Sequence, residues 1–279
     1  MVNKIMSQIG NALKKNRFTK DVAVPAAYDG DPLSKYVARC GTWSRRDAIR
    51  YINERHIWVD GRNVVHPFER IRAGSVIAFD GWRPLLPVPV RLFIYNKRHG
   101  ELVDTDVPKR TTIRGLRGIR TVFKSIEESY DNRRLKLPRL MASGRLDVCT
   151  EGLLVMTTCP DLATHIETTY SVGHRTYLAC VPGKVNEEVL KVLESGTTIC
   201  GIKFPPMSVR AREYPENTWL QVQLEERRSS EVRRALISAG LSITRLVRTQ
   251  YGPFLLNQIP TGCIDEIAIP DDMKQFKKC

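Results

Sequence analysis

An acidic residue within a short basic turn is the feature of this 279-residue chain that most suggests chemistry. Residues 143–154 read S-G-R-L-D-V-C-T-E-G-L-L, so Asp147 lies between two glycines and just ahead of an apolar run. The run Leu153–Met156 predicts a short buried strand. An acid held at the mouth of such a strand depends on fixed partners for its ionisation. Asp147 is therefore a candidate nucleophile or general base.

The residues around Asp147 also resemble a known signature. RNA pseudouridine synthases of the RsuA type carry the pattern G-R-L-D-x-x-T-E-G-L-L around the catalytic aspartate, and Arg145, Asp147, Thr150 and Glu151 fall on its positions. An ordinary strand after a polar turn is the alternative interpretation, but a block of this length is far more specific than a lone glycine motif. The resemblance implies that Asp147 is the catalytic carboxylate.

Three further segments are similar to the same family, so the resemblance covers nearly the whole chain. Residues 95–100 (Y-N-K-R-H-G) resemble its opening segment, residues 175–177 (R-T-Y) resemble its K-x-Y segment, and residues 226–234 (E-R-R-S-S-E-V-R-R) resemble its E-G-R-x-x-Q-V-[KR]-R segment. The resemblance implies that Tyr177 contacts the target base and that Arg233 pairs with Asp147. It also implies that Arg145 lies beside the flipped nucleotide and its phosphate. Lys97 is expected among the residues that contact RNA.

The chain departs from the family pattern at three positions near these segments. Arg98 stands where the family has proline, Arg227 where it has glycine, and Glu231 where it has glutamine. Glu231 brings an acid close to the expected partner of Asp147 and is a competitor for Arg233. These departures indicate a diverged member of the family.

The conversion of uridine to pseudouridine explains why these residue types belong together. The C1′–N1 bond breaks, the uracil rotates and its C5 joins C1′, so the base must be unpaired or flipped out of a helix. Asp147 acts on the uridine as nucleophile or as base, and the sequence leaves both open. A guanidinium at Arg233 favours the ionised form of Asp147, while Tyr177 offers an aromatic face and a hydroxyl. No metal, nucleotide or redox cofactor is expected.

Residues 31–81 predict a small separate unit with a second resemblance. The phrases L-S-K-Y-V-A at 33–38, S-R-R-D-A at 44–48 and V-D-G at 59–61 resemble the S4 RNA-binding domain, which often precedes the catalytic domain in this family. Arginines that open a helix, with further cations on its neighbour, suit phosphate; a basic solvent-facing surface is the alternative. The candidate RNA contacts of this unit are Lys35, Arg39, Arg45, Arg46 and Arg50.

The domain organisation follows from these segments. We expect a basic extension or targeting segment (1–30), the S4-like domain (31–81), a proline-rich linker (82–89), the catalytic domain (90–270) and a frayed C-terminal tail (271–279). The catalytic domain alternates predicted strands at 91–95, 153–157, 176–181, 219–224 and 254–256 with predicted helices at 120–129, 185–195 and 230–239. This mixture predicts an α+β fold around a largely antiparallel mixed sheet, with the active-site cleft across its middle.

The composition indicates which binding partner and which cellular compartment to expect. The formal charge of +14 and the pI near 9.6 favour a polyanion, nucleic acid first. No apolar run approaches the ~20 residues that span a bilayer, so no membrane partner is expected. The seven cysteines form no C-x-x-C pair, which argues against a zinc site. Residues 1–20 are basic, amphipathic and free of acids, as in mitochondrial targeting segments; a basic RNA-contacting tail on a cytoplasmic protein is the alternative.

Together these features predict an isomerase that converts a specific uridine of ribosomal RNA to pseudouridine. It is expected to act on pre-ribosomal particles and to be a monomer outside them. The alternative is an RNA-binding ribosome assembly factor with the scaffold of a synthase and little or no catalysis. A structural ribosomal protein is a weaker interpretation, because it gives no reason for the intact block around Asp147.

Overall fold

The computed structural model describes residues 22–104, 119–131, 137–170, 174–199, 202–225 and 230–278. The α-helices in these ranges are α1 (Leu33–Arg39), α2 (Arg45–Asn53), α3 (Val122–Asp131), α4 (Pro160–Thr169), α5 (Glu187–Ser195) and α6 (Glu231–Ser238). The strands are β1 (Ile57–Val59), β2 (Arg62–Asn63), β3 (Ile77–Phe79), β4 (Arg83–Pro84), β5 (Leu92–Lys97), β6 (Met141–Ser143), β7 (Glu151–Thr157), β8 (His174–Pro182), β9 (Thr197–Ile199), β10 (Ile202–Phe204), β11 (Ser208–Glu213), β12 (Asn217–Glu225), β13 (Arg245–Tyr251), β14 (Phe254–Leu255) and β15 (Ile264–Ile267). None of the described helices is both long and apolar enough to cross a membrane.

The N-terminal part packs α1 and α2 against a small antiparallel sheet of order β2-β1-β3-β4. Ser44 and Asp47 form the predicted capping box at the start of α2, which satisfies backbone N–H groups that the first helical turn leaves free. Asp60 and Gly61 both adopt positive φ in the turn between β1 and β2, as the predicted hairpin requires. A cluster of apolar side chains from Val24 to Leu85 forms the core of this part.

The larger part of the chain is built on one mixed sheet. Its strands lie in the order β11-β12-β8-β13-β7-β5-β15, with β14 paired to β13 and β6 paired to β7. The β13–β7 pair is parallel and the other pairs in this sheet are antiparallel. This architecture confirms the predicted α+β class with a largely antiparallel sheet.

The central strands are buried on both faces, which explains the continuous apolar run seen in the sequence. Along β7, Leu154 and Met156 pack into a core shared with α3, α5 and α6. Leu153 and Val155 point to the opposite face and pack with α4. Alternate residues of a strand face opposite sides of the sheet, so layers on both faces require apolar residues at every position.

The C-terminal residues differ from the expected frayed tail. A 3-10 helix spans Asp271–Lys278, and its Met273 is fully buried in the core beside α4. Burial of one large apolar side chain contributes roughly 1.5–3 kcal/mol, and here that contribution favours docking of the short helix on the domain.

Candidate active site

Asp147 lies in the loop that joins β6 to β7. The loop is bounded by Gly144 and Gly152, with φ of +72° and +97°, in the region that favours glycine. A Cβ on Gly144 would lie 2.6 Å from Cε1 of Tyr251, and one on Gly152 would lie 2.4 Å from the carbonyl oxygen of Arg248. Both glycines are therefore needed for the loop to lie directly against strand β13.

Helix α6 delivers Arg233 to the same loop. Its Nε donates to Oδ2 of Asp147 at 3.3 Å, and its Nη2 donates to the carbonyl oxygen of Cys149 at 2.9 Å and to Oγ1 of Thr150 at 3.3 Å. The side chains of Asp147 and Arg233 are only 21% and 20% exposed. Glu231, the expected competitor for this arginine, is a buried residue at the start of α6.

The surroundings of Asp147 set its charge. Burial is the largest influence on its pKa and acts to raise it. The neighbouring hydroxyl of Thr150, the positive charge of Arg233 and the hydroxyl of Ser230 act in the opposite direction and outweigh burial, so the pKa of Asp147 lies below its ordinary value. Asp147 is therefore a carboxylate at neutral pH.

A small pocket opens beside this carboxylate. Apolar side chains form one part of its wall, and polar groups next to Asp147 form the rest. The apolar and aromatic residues are Leu146, Tyr177, Val232 and Leu246, and the polar residues are Arg145, Thr150, Ser230 and Arg233. The pocket has room for about one water molecule, so a base can enter only if its rim moves. Arg145 is the exposed member of that rim.

Tyr177 forms the floor of the site. It lies on β8, in register with Val222 of β12 and Arg248 of β13, and is 2% exposed. Asp147 lines the same pocket, and its Oδ1 atom is buried and has no hydrogen-bond partner among the described residues. A carboxylate with one oxygen fixed by a guanidinium and the other unengaged is suited to attack carbon or to accept a proton.

Comparison with known proteins identifies the family. The family model for RNA pseudouridylate synthases matches residues 91–238. A protein of Rickettsia felis named as an uncharacterized RNA pseudouridine synthase is 31% identical over 236 residues, which are 84% of this chain and 96% of that relative. The chain belongs to the RNA pseudouridine synthase family. The members of this family are isomerases.

Two further similarities extend this result. The ribosomal large subunit pseudouridine synthase B of Pseudomonas aeruginosa is 32% identical over 240 residues, covering 84% of this chain and 58% of that relative. A crystal structure of a pseudouridylate synthase aligns with a TM-score of 0.54 and 19% identity over 89% of this chain and 100% of the other. At that identity the structure shows a shared fold alone.

Lys97 has a different place in this synthase from the expected contact with RNA. It is fully buried, and its Nζ donates to the carbonyl oxygens of Thr150, Arg98 and Val148 at 2.8, 3.0 and 3.2 Å. Burial lowers the pKa of Lys97 to about 8, although the charges of Glu101 and then Asp147 act to raise it. In this conformation Lys97 supports the loop of Asp147 from within the protein and is out of reach of RNA.

Two of the cations expected to bind RNA from the N-terminal part also have other partners. Arg39 is 6% exposed and forms ion pairs with Asp31, at 2.5 Å, and with Asp161 on α4. Lys35 pairs with the same two aspartates, at 3.3 and 3.2 Å. Helix α1 of the synthase is thus fixed to α4, and in this conformation the guanidinium of Arg39 is engaged by aspartates and buried, while its contact with RNA stays a prediction.

The cations of α2 remain accessible. Arg45, Arg46 and Arg50 are all exposed. Arg50 is 3.2 Å from Asp47 of the same helix and lies 4.9 Å over the ring of Tyr51. The predicted role of this helix in RNA binding is compatible with its exposure.

Sequence reasoning missed the part that β13 plays in the synthase. Arg248 is fully buried, and its Nε and Nη2 donate to the carbonyl oxygens of Leu153 and Gly144 at 2.9 and 3.0 Å. Arg245 makes a two-pronged ion pair with Glu151. The alternation of Leu246 and Arg248 on one face was the available signal, but an inward arginine does not fit the usual pattern of a strand. Residues 1–21, which are most of the predicted extension or targeting segment (1–30), and residues 226–229 of the third motif lie outside the described residues.

Proposed function

We propose that this chain converts a uridine of large-subunit ribosomal RNA to pseudouridine, with Asp147 as the catalytic carboxylate. The carrying observation is the Asp147–Arg233 pair at the mouth of a pocket floored by Tyr177. Membership of the synthase family supports the reaction. Relatives in Pasteurella multocida and Pseudomonas aeruginosa that are named as ribosomal large subunit pseudouridine synthase B support the choice of RNA.

The geometry supports a division of roles in the reaction. The rim at Arg145 moves to admit an unpaired or flipped uridine, whose base then meets the ring of Tyr177. Asp147 attacks the nucleoside or accepts a proton from it while the C1′–N1 bond breaks. After rotation of the uracil, C5 joins C1′ and loses its proton, and N1 gains one, so the net change is an isomerisation. Arg233 keeps Asp147 ionised and oriented throughout.

The N-terminal part completes the proposal. We assign the N-terminal part, predicted as residues 31–81 with a core that also includes Val24, Tyr28 and Leu85, to an S4-like RNA-binding domain, and residues 90–270 to a catalytic domain. The exposed arginines of α2 support RNA binding by this domain. The substrate proposed is ribosomal RNA in pre-ribosomal particles, bound by a monomer. The basic composition of residues 1–20 supports delivery to mitochondria, which a reporter fused to residues 1–30 tests by its location.

Pseudouridine mapping of ribosomal RNA tests this function. Cells that carry Asp147→Ala are compared with wild-type cells, and the loss of one modified position in the large-subunit RNA is expected. Asp147→Asn, which keeps the volume of the side chain, is the matched variant. An unchanged map, with the variant still bound to ribosomal particles, would favour the assembly factor with little or no catalysis.

A further inference from the structure

The proposed reaction does not explain why the charged side chain of Arg248 is buried. Its side chain is fully buried, and among the described residues no carboxylate forms an ion pair with it. The aromatic ring of Tyr251 lies 4.9 Å from its guanidinium, and burial raises the pKa of Tyr251, so that side chain supplies no negative charge. A buried cation without an acid costs stability, because carbonyl groups replace only part of the lost hydration.

The hydrogen bonds of Arg248 connect the two ends of the loop that carries Asp147. Gly144 precedes that loop and Leu153 follows it, and the carbonyl oxygens of both accept from the same guanidinium. The backbone of Arg248 also lies in register with Gly152. One planar group with fixed N–H directions therefore sets the separation between the two ends of the loop.

The strand that carries Arg248 leaves the loop little freedom in other directions. The ring of Tyr251 lies against Gly144, and the backbone of Arg248 lies against Gly152, so neither glycine has space for a Cβ. On the pocket side, Arg248 is in register with Tyr177. Strand β13 thus contacts the loop of Asp147 and the floor of the pocket at once.

We propose that Arg248 is a positioning residue that sets the place of Asp147 relative to Tyr177. It acts through the backbone of the loop and touches neither the substrate nor the carboxylate. The inference rests on the proposed function, because the geometry that Arg248 fixes is that of the catalytic carboxylate. Errors of about 1 Å in such a position reduce rates by roughly 10²-fold while binding is retained.

Two substitutions separate the shape of the guanidinium from its charge. Arg248→Met keeps most of the volume without charge, and Arg248→Lys keeps the charge but has a single nitrogen in place of the fork. The control is Leu193→Ala, a buried residue of α5, the helix that contacts β11 at the edge of the sheet. All proteins are assayed well below their unfolding temperatures, so that loss of stability alone does not reduce the rate.

The measurements are the single-turnover rate of pseudouridine formation with saturating ribosomal RNA, and the Kd for that RNA. Arg248→Met is expected to lower the rate about 100-fold with Kd changed less than about threefold. Arg248→Lys is expected to recover only part of the rate, and it carries the test if Arg248→Met fails to fold. Leu193→Ala is expected to keep the wild-type rate. Wild-type rates in both Arg248 variants, or an equal loss in Leu193→Ala, would overturn the proposal.

Amide hydrogen exchange of residues 145–150 gives a second readout that does not depend on activity. Faster exchange there in Arg248→Met, and not in Leu193→Ala, is expected if Arg248 positions the loop. If wild-type protein forms no pseudouridine, the proposed function fails, and this exchange alone decides the role of Arg248. Unchanged exchange in the loop would then count against it.

Discussion

The guanidinium of Arg233 holds both the carboxylate of Asp147, at 3.3 Å, and the carbonyl oxygen of Cys149, at 2.9 Å. One side chain on α6 therefore controls the charge of Asp147 and the shape of the loop around it. Since the two residues are 86 positions apart in sequence, this relationship forms only when α6 has packed on the sheet. The site is consequently sensitive to changes on α6 as well as in the loop.

Replacement of Arg233 is expected to impair catalysis more than RNA binding. Arg233→Gln removes the charge and leaves Asp147 partly buried without its partner, so kcat should fall by about 10²-fold or more. The adjacent Arg234→Gln, an exposed change on the same helix, is the control and should keep kcat within about threefold. Steady-state kinetics with ribosomal RNA measure both. Equal losses in the two variants would mean that the helix contributes only general basicity.

The pH dependence of the reaction should reflect the lowered pKa of Asp147. The carboxylate is the active form, so kcat/KM should stay level as pH falls from 7 and decline only below the ordinary range for aspartate, near 3.9. The stability that its ionised form contributes is present above that range and lost as pH falls through the lower folded pKa. In Arg233→Gln the decline should move to higher pH. A decline at the same pH in both proteins would contradict the effect assigned to Arg233.

The lowered pKa of Lys97 should make the free energy of unfolding depend on pH in the alkaline range. Its folded pKa is about 8 against an ordinary 10.5, so between these values the unfolded chain binds more protons and stability rises with pH. The gain is bounded by roughly 1.4 kcal/mol for each pH unit. Denaturant titrations of wild type and Lys97→Met across pH 8–10.5 isolate this contribution. Parallel curves for the two proteins would show that burial of Lys97 does not shift its pKa.

Gly144 and Gly183 allow backbone strain to be separated from a steric clash. Both have positive φ, +72° and +68°, but only Gly144 has a side chain, that of Tyr251, where a Cβ would go. Gly183→Ala should cost about 1–2 kcal/mol of unfolding free energy, and Gly144→Ala about 1–3 kcal/mol more. Activity should fall in Gly144→Ala alone. Similar unfolding free energies for the two variants would mean that Tyr251 moves aside freely.

The ion pairs between α1 and α4 should hold the N-terminal part against the rest of the chain. Asp161→Asn removes the acid that Arg39 and Lys35 share across this contact, and the loss of one partner of a buried pair is destabilising. Proteolysis within residues 82–89 should therefore become several-fold faster. Glu213→Gln, which breaks an exposed pair with Lys184, is the control and should leave the cleavage rate unchanged.

Much of the fold was predictable because its elements follow local rules. The capping box at Ser44, the turn at Asp60-Gly61 and the apolar run after Gly152 each depend on neighbouring residues. The pairing of Asp147 with Arg233 was expected from a resemblance between motifs, and the contact at 3.3 Å agrees with it. In these places, local pattern and tertiary structure agree.

The remaining features depend on contacts that sequence spacing does not reveal. Lys97 and Arg39 look like surface cations in any local window, yet Lys97 is enclosed by carbonyl groups, and Arg39 pairs with Asp31, just before α1, and with Asp161 on α4. Strand β13 carries arginines at 245 and 248, so its sequence lacks the continuous apolar pattern expected of a central strand. Helix α4 was missed because its three threonines weaken the helical signal, although a proline at the first helical position is a common start of a helix.

The strand order also determines when the active site can form during protein synthesis. During synthesis, the residues of the N-terminal core emerge early and have a separate apolar cluster of their own. Asp147 emerges in the middle, but strand β13, inserted between β7 and β8, is made nearly a hundred residues later. On a nascent chain, β7 with β5 and β8 with β12 and β11 are therefore made before the strand that lies between them, and the active site can be completed only after β13 has been made.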